Sequence, residues 1–157
     1  MIAKKKIIWI LLIVSIASIG SVIAVYVNTN YAIPNTPGKN YQVLKFVSAS
    51  MEPTIKEGSY ILVDTSVNAS DLNSEYPNSD IIVFHIPGNP NELIAHRIVA
   101  KEEIDGVLYF RTKGDANGIN KWPATPQPSE YDPWREGGVP GVSEYNIVGK
   151  VVNTNYK

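Results

Sequence analysis

Ser50 and His96 are the two residues whose side chains best suit a chemical reaction. A serine hydroxyl becomes a strong nucleophile when a neighbouring base takes its proton. An imidazole, with an ordinary pKa of about 6.5, suits that task near neutral pH. Ser50 lies between an apolar run at 43–47 and Pro53. Because proline cannot continue a central strand, we predict a turn there, with the Ser50 hydroxyl facing a substrate from a strand end. The alternative is an ordinary turn serine.

His96 lies in an apolar run at 92–100 that reads as a strand. Alternation along this run places His96 on the face of Ile94 and Ile98 and sends Arg97 to the opposite face. The imidazole is therefore predicted to point inward. A histidine on an apolar face is more often a core residue than a catalyst, so this local pattern leaves both roles open.

Asp115 is the candidate acid, and Lys113 is a rival base. Both lie at the end of an apolar run at 107–112, where Gly114 permits a tight turn. The Asp115 carboxylate is predicted to orient His96 and stabilise its protonated form, or else only to bond its own turn. Ser–Lys dyads exist, but burial would have to lower the pKa of Lys113. Because a neighbouring carboxylate raises that pKa, we rank His96 first.

The elements that position these candidate residues are predicted from short runs rich in Val, Ile, Tyr and Phe. Turn residues separate the runs, and no long segment after residue 27 has a helical period. Residues 66–72 have room for one helical turn. This pattern predicts a mainly β fold, an irregular β-barrel or sandwich. The predicted strands are 41–47, 60–64, 80–86, 92–100, 107–112 and 146–153.

The segment 119–142 departs from this pattern because it is rich in proline, glycine and tryptophan. It cannot form one regular strand or helix, and its aromatic content predicts an ordered surface loop. Two roles stay open for it: a lid over an open barrel end, or a contact with substrate or partner.

The amino-terminal 27 residues form a separate segment. Three lysines at 4–6 precede an uncharged apolar run at 7–27. About 20 such residues span a bilayer, whereas the apolar region of a cleaved signal peptide has roughly 7–15. The sequence therefore predicts a transmembrane signal-anchor helix at 7–27 that follows a cytoplasmic segment at 1–6.

The charges predict the orientation of this anchor. No charge follows the apolar run until Lys39, so the positive-inside rule places the amino terminus in the cytoplasm. After a polar linker at 28–40, the β-rich domain at 41–157 is predicted to lie on the outer face of the cell membrane. A glycosylation sequon, Asn68-Ala69-Ser70, fits that side.

Composition excludes several other classes of protein. The 157 residues suit one anchor and one modest domain. The absence of cysteine excludes a disulfide scaffold, a thiolate metal site and a cysteine nucleophile. A net charge of -1 offers no basic face for nucleic acid. With only two histidines there is no cluster of ligands, so we expect no metal and no cofactor.

Four short segments follow one another along the chain: Ser48-Ala49-Ser50-Met51-Glu52-Pro53-Thr54, His96-Arg97-Ile98, Thr112-Lys113-Gly114-Asp115-Ala116-Asn117 and Ile147-Val148-Gly149-Lys150-Val151. Together they resemble the ordered sequence boxes of type I signal peptidase, and the resemblance extends from the predicted anchor to the end of the last box. The bacterial branch carries lysine where His96 stands, so the chain is similar to the archaeal and endoplasmic-reticulum branch, which uses a Ser–His pair with help from aspartate.

This resemblance implies a membrane-anchored serine endopeptidase that removes signal peptides from secretory precursors. Ser50 matches the nucleophile, His96 the general base and Asp115 the first important aspartate. Ser48 matches the residue whose hydroxyl joins the Ser50 backbone amide in the oxyanion hole. The implied partners are signal peptides and the lipid bilayer and, if the enzyme works in a complex, other processing subunits or the translocon.

One position departs from the family pattern. This branch usually carries a second aspartate six residues after the first, and Lys121 stands there. Asp132, in the long loop, is a candidate substitute if the loop folds back. Otherwise Asp115 serves alone or activity is reduced. Lys121 also supports a rival hypothesis, a membrane-anchored non-catalytic binding module on the same scaffold, and a Ser–Lys peptidase that uses Lys113 is a further alternative.

Overall fold

The chain folds mainly into β-strands. The structure, a computed structural model, describes Ile23–Ala24 and residues 33–156. Short 3₁₀ turns lie at Ala69–Asp71, Pro128–Glu130 and Glu144–Asn146. The strands are β1 (Ile23–Ala24), β2 (Tyr41–Phe46), β3 (Tyr60–Asp64), β4 (Ile81–Ile86), β5 (Asn89–Ile104), β6 (Val107–Lys113), β7 (Arg135–Glu136), β8 (Val139–Pro140), β9 (Val142–Ser143) and β10 (Ile147–Asn153).

Eight of these strands form one antiparallel sheet. Their order is β1-β2-β3-β10-β4-β5-β6-β9, and β7 and β8 pair separately as a small hairpin. The prediction of a mainly β fold is confirmed. The predicted barrel does not close in the part of the chain that the structure describes, because β1 and β9 remain the two edges of the large sheet.

Apolar side chains cover both faces of the sheet centre. Alternation along β4 and β5 sends successive residues to opposite faces, so each strand contributes to two clusters. Val83 and Ala95 belong to one cluster, and Phe84 and Ile94 belong to the other. Burial on both faces explains why these two strands read as nearly continuous apolar runs.

β5 is longer than predicted and connects the two halves of the site. It pairs with β4 on one side and with β6 on the other, and it extends four residues beyond the predicted end at Ala100. The register shifts between Ile98 and Ala100, as at a β-bulge. Local pattern hid this extension because residues 101–103 are charged, in Lys101-Glu102-Glu103. His96 and Arg97 therefore occupy the doubly paired, buried middle of the strand.

The amino-terminal prediction falls almost entirely outside the described residues. Within the predicted helix at 7–27, only Ile23–Ala24 is described. At these two residues the prediction differs from the structure, because they form the strand β1 against Phe46 and Lys45 of β2. In the described part of the chain, no helix is long and apolar enough to cross a membrane.

Candidate active site

The Ser50 turn is held in place by two apolar neighbours. After β2 ends, the chain makes a turn in which the Ile55 amide donates to the Met51 carbonyl at 2.9 Å. The Met51 and Ile55 side chains are fully buried in the core beside Phe46. These buried side chains anchor the turn to the core, and Ser50 lies in this turn, four residues after β2 ends at Phe46. A turn at this place is what the proline pattern predicts.

Ser50 and His96 lie within hydrogen-bond distance, although 46 positions separate them in the sequence. The Ser50 Oγ atom is 3.1 Å from His96 Nε2. His96 projects from β5 and is only 3% exposed. This arrangement can transfer a proton from the hydroxyl to the ring nitrogen, which is the step that makes a serine nucleophilic.

The other ring nitrogen of His96 contacts Asp132, from the long loop. His96 Nδ1 lies 2.6 Å from Asp132 Oδ2. Two bonds join Asp132 to the end of β6: Thr112 Oγ1 donates to the same carboxylate oxygen at 2.7 Å, and the Asp132 amide donates to the Thr112 carbonyl at 2.8 Å. The loop therefore folds back to the histidine. A carboxylate in this position favours the tautomer with its proton on Nδ1, which leaves Nε2 free to act as a base.

Asp115 is paired with Arg97 instead of His96. Arg97 Nε and Nη2 each donate to a different Asp115 oxygen at 2.8 Å, and Thr54 Oγ1 donates to Oδ2. The expectation that Asp115 orients His96 therefore differs from the observed bonds. The reason is that alternation along β5 turns Arg97 away from His96, and a buried guanidinium needs a carboxylate partner.

The Arg97–Asp115 pair braces the Ser50 turn through neighbouring residues. Arg97 also donates to the Ser79 carbonyl at 2.7 Å and stacks over the Trp122 ring at 5.1 Å. Next to Asp115, the Ala116 amide donates to the Ser50 carbonyl at 2.9 Å. The pair is thus a buried support behind the serine.

We expect Asp115→Asn to destabilise the fold by about 3–5 kcal/mol, because it leaves the Arg97 charge buried without its anion. The two side chains are only 1% and 7% exposed, so water cannot replace the lost partner. Urea unfolding followed by tryptophan fluorescence measures the change. The control is Glu102→Gln, which breaks the more exposed pair with Arg111 and should cost about 1 kcal/mol or less. Equal effects of the two changes would contradict the supporting role.

Lys113 is buried, but its ammonium is bound to the loop that follows it. Its Nζ donates to the carbonyls of Gly114, Asn117 and Asn120, the last at 2.9 Å. Burial lowers the pKa of Lys113, while the carboxylates of Glu130 and other acids oppose this shift. Within the described residues, the Lys113 ammonium bonds to these backbone oxygens, whereas the Ser50 hydroxyl bonds to His96.

The two predicted oxyanion donors lie together. The Ser50 amide donates to Ser48 Oγ at 3.1 Å, so a substrate oxygen would have to take this amide hydrogen from the Ser48 hydroxyl. Gly114 brings the following loop close to the same place, since a Cβ there would lie 2.7 Å from the Ser50 carbonyl oxygen. Any larger residue at Gly114 would push the Ser50 turn out of position.

A cleft of about 640 Å³ opens beside the Ser50 hydroxyl. Its walls come from the turn that holds Ser50, from β5, from the loop after β6 and from the long loop. Small side chains dominate the wall near the serine. The residues that line it are Ser48, Ala49, Ser50, Ile94, His96, Ala116, Asn117, Asp132, Pro133 and Trp134.

Two features of the site were missed or left open by sequence reasoning. Thr112 holds Asp132, and the signal for it was alternation along β6, which places Thr112 on the face of the buried Phe110. Lys121, at the position of the missing aspartate, is exposed. In the described part of the chain, no group of three or more acidic, histidine or cysteine side chains is arranged to hold a metal ion.

A comparison with known proteins matches the chain to a family model. Residues 6–102 match the family model described as "Signal peptidase, peptidase S26". This span includes Ser50 and His96 and ends before Lys113, Asp115 and Asp132. No curated protein and no solved structure matches the chain.

Proposed function

The chain belongs to the S26 signal peptidase family, and from that premise we propose that it is a membrane-anchored serine endopeptidase that removes signal peptides from secretory precursors. Ser50 is the nucleophile, His96 the general base and Asp132 the acid that orients His96. The observation that carries this proposal is the continuous line of hydrogen bonds from the Ser50 hydroxyl through both ring nitrogens of His96 to Asp132. A nucleophile, a base and an orienting group in this order are the parts of a serine hydrolase.

The reaction proceeds through an acyl-enzyme. Ser50 Oγ bonds to the scissile carbonyl carbon while His96 Nε2 takes its proton, and Asp132 stabilises the imidazolium. The Ser50 amide and the Ser48 hydroxyl hold the oxyanion. His96 then protonates the leaving amine as the peptide bond breaks. Water attacks the ester, His96 takes its proton, and the serine regains a proton as the acyl group leaves as a carboxylic acid.

Asp132 takes the place of the carboxylate that the family pattern puts at position 121. Its Oδ2 lies 2.6 Å from His96 Nδ1, and its side chain is almost fully buried. Thr112 Oγ1 donates to its carboxylate, and its own amide donates to the Thr112 carbonyl. These features support Asp132 as the acid and leave Asp115 with a supporting role through Arg97. The sequence change at Lys121 is therefore compatible with a working enzyme.

The proposed substrate is the junction between a signal peptide and a mature protein at the outer membrane face. The apolar residues of the run at 7–27 that precede β1 anchor the enzyme with its amino terminus in the cytoplasm, and the linker at 28–40 keeps the domain at 41–157 near the bilayer. Because enzyme and signal peptide share one membrane, their effective concentration is raised. Other processing subunits or the translocon are further proposed partners.

The test of this function is the position of the cut. Detergent-solubilised protein is incubated with a secretory precursor, and the products are mapped by mass spectrometry. We expect one cut at the signal junction, after small residues at the first and third positions before the scissile bond. Replacing the small residue directly before the bond with tyrosine should abolish that cut. Cleavage at scattered sites, or equal cleavage of the tyrosine precursor, would contradict the proposal.

A Ser–Lys peptidase is the second candidate, because Lys113 is buried and its pKa is lowered by burial. Its ammonium is occupied, however, by three backbone carbonyls. A lysine base must be neutral and near the serine, and these bonds favour the charged form. We therefore propose His96 as the base and Lys113 as a support for the loop.

A further inference from the structure

Glu130 accepts more backbone hydrogen bonds than its place on a surface turn requires. One carboxylate oxygen accepts from the Ile119 amide at 2.7 Å and from the Asn120 amide at 2.8 Å. The other accepts from the Asn120 side chain at 2.7 Å and from the Gln127 amide at 2.8 Å. One side chain thus ties together two parts of the long loop that have no strand to hold them.

These bonds also keep Glu130 ionised. The amide donors of Asn120 and Gln127 lower the pKa of Glu130 from 4.5 to about 2. A depressed pKa means that the bonds contribute fully above the ordinary value and are lost as the pH falls toward about 2. The carboxylate is therefore in its bonding form at any pH at which an imidazole acts as a base.

Gly118 gives a second, independent sign that the carboxylate is closely fitted to this loop. A Cβ at Gly118 would lie 2.6 Å from Glu130 Oε1, and its φ of +71° is one that side-chain-bearing residues rarely adopt. Glycine at 118 therefore gives the carboxylate its room and the turn its conformation.

The same loop segment is held from its other side by Lys113. Asn120 gives its amide and its side chain to Glu130, and its carbonyl accepts from Lys113 Nζ at 2.9 Å. The loop around Asn120 is therefore fixed on two sides: the Glu130 carboxylate binds its N–H groups, and the Lys113 ammonium binds its carbonyls. Attraction between the two charges adds to the effect: burial lowers the pKa of Lys113, and the Glu130 carboxylate opposes this shift.

Glu130 lies two residues before Asp132 and ends the 3₁₀ turn Pro128–Glu130. Asp132 itself has to meet Thr112 and His96 at hydrogen-bond distance. With Tyr131 as the only spacer, a shift of Glu130 is passed on to Asp132. Misplacing a catalytic group by about 1 Å is enough to cost about 10²-fold in rate.

We propose that Glu130 is a positioning residue that fixes Asp132 against His96. This inference rests on the proposed function only where rates are concerned, because the Asp132–His96 contact can be measured without a substrate. Charged groups near this contact are the Arg97–Asp115 pair behind β5 and Lys113 at the end of β6. Arg111 and Arg135 also lie nearby, since they line one small cavity together with Asp132. Glu130 takes part in no proton transfer and touches no reacting atom.

The experiment compares Glu130→Gln with Glu144→Gln in the full-length protein in detergent. Glu144 is a matched control, because it too lies on a short 3₁₀ turn and accepts a backbone amide, that of Leu108 at 3.2 Å. The first readout is the proton NMR signal of His96 Nδ1–H, which a short bond to a carboxylate moves far downfield. Glu130→Gln should broaden this signal or move it upfield, and Glu144→Gln should leave it unchanged.

The second readout is precursor cleavage. Glu130→Gln should lower kcat by about 10- to 100-fold with little change in KM. In an Asp132→Asn background it should have almost no further effect, because a residue that acts through Asp132 has nothing left to position. If the glutamine variant does not fold, Asn120→Ala removes one of the four bonds and should give a smaller change in the same direction.

The outcomes separate this inference from the proposed function. An unchanged His96 signal in folded Glu130→Gln, or a full additive loss in the double variant, would overturn the positioning role. If Glu130→Gln shifts the His96 signal but the wild-type protein cleaves no precursor, the positioning role is upheld and the peptidase function is contradicted.

Discussion

Replacing His96 with alanine is expected to lower kcat for precursor cleavage by roughly 10⁶-fold, because the Ser50 hydroxyl loses the base that takes its proton. The base contacts Ser50 through Nε2 at 3.1 Å and has no substitute at that nitrogen among the described residues. The measurement is kcat on a secretory precursor, with the product quantified by mass spectrometry.

Two controls make this result specific. His85→Ala removes the other histidine, which lies on β4 opposite Leu93 and has a buried ring nitrogen without a partner in the described residues. It should leave kcat within about tenfold. In Lys113→Met, the molecules that fold should still cleave the precursor, because His96 remains as the base. The reverse pattern, cleavage lost in Lys113→Met and retained in His96→Ala, would make the protein a Ser–Lys peptidase.

Asp132→Asn is expected to lower kcat by about 10⁴-fold while the protein stays folded, because an amide cannot hold the productive tautomer of His96 or stabilise its cation. The Thr112 backbone bond, which does not use the carboxylate, should keep the loop in place. The measurement is kcat beside a urea unfolding curve.

Asp115→Asn is the matched aspartate control for this prediction. Its carboxylate serves Arg97, so the main loss should be in stability, and kcat per folded molecule should fall much less than in Asp132→Asn. Equal kcat losses in the two folded variants would mean that both carboxylates belong to the catalytic site. Unchanged kcat in Asp132→Asn would remove Asp132 from it.

The parts of the site that local pattern predicts are those set by short-range rules. Ser50 follows an apolar strand and precedes a proline, so a turn at Ser50 was predictable. His96 lies on a strand and shares a face with apolar residues, so the inward direction of its side chain was predictable as well. That these two residues meet depends on β2 and β5 lying in one sheet. Strand order is a non-local property. From the sequence, therefore, only the family resemblance predicts that Ser50 and His96 meet.

The loop residues were less predictable, for a physical reason. Asp132 lies in a segment without periodicity, and its place depends on bonds to Thr112, His96 and, through Glu130, to residues about ten positions away. The sequence pattern predicts His96 as the partner of Asp115, whereas in the structure the partner is Arg97. A buried arginine requires an acid, but which acid reaches it depends on the fold.

The closure of the sheet is a property that the apolar runs do not predict. Apolar runs predicted six strands at nearly the observed places, but they did not reveal that, within the described residues, β1 and β9 remain the edges of the sheet. Closure depends on strand number, tilt and register together, and no single run of residues encodes these.

The most direct test of the central claim is cleavage of a secretory precursor by the wild-type protein beside Ser50→Ala, both purified in detergent and both shown to be folded. The account predicts one cut at the signal junction by the wild type and no cut by Ser50→Ala. Cleavage by folded Ser50→Ala at the wild-type rate would contradict Ser50 as nucleophile. A folded wild type that cuts no precursor would contradict the enzyme itself and favour a membrane-anchored binding module on the same scaffold.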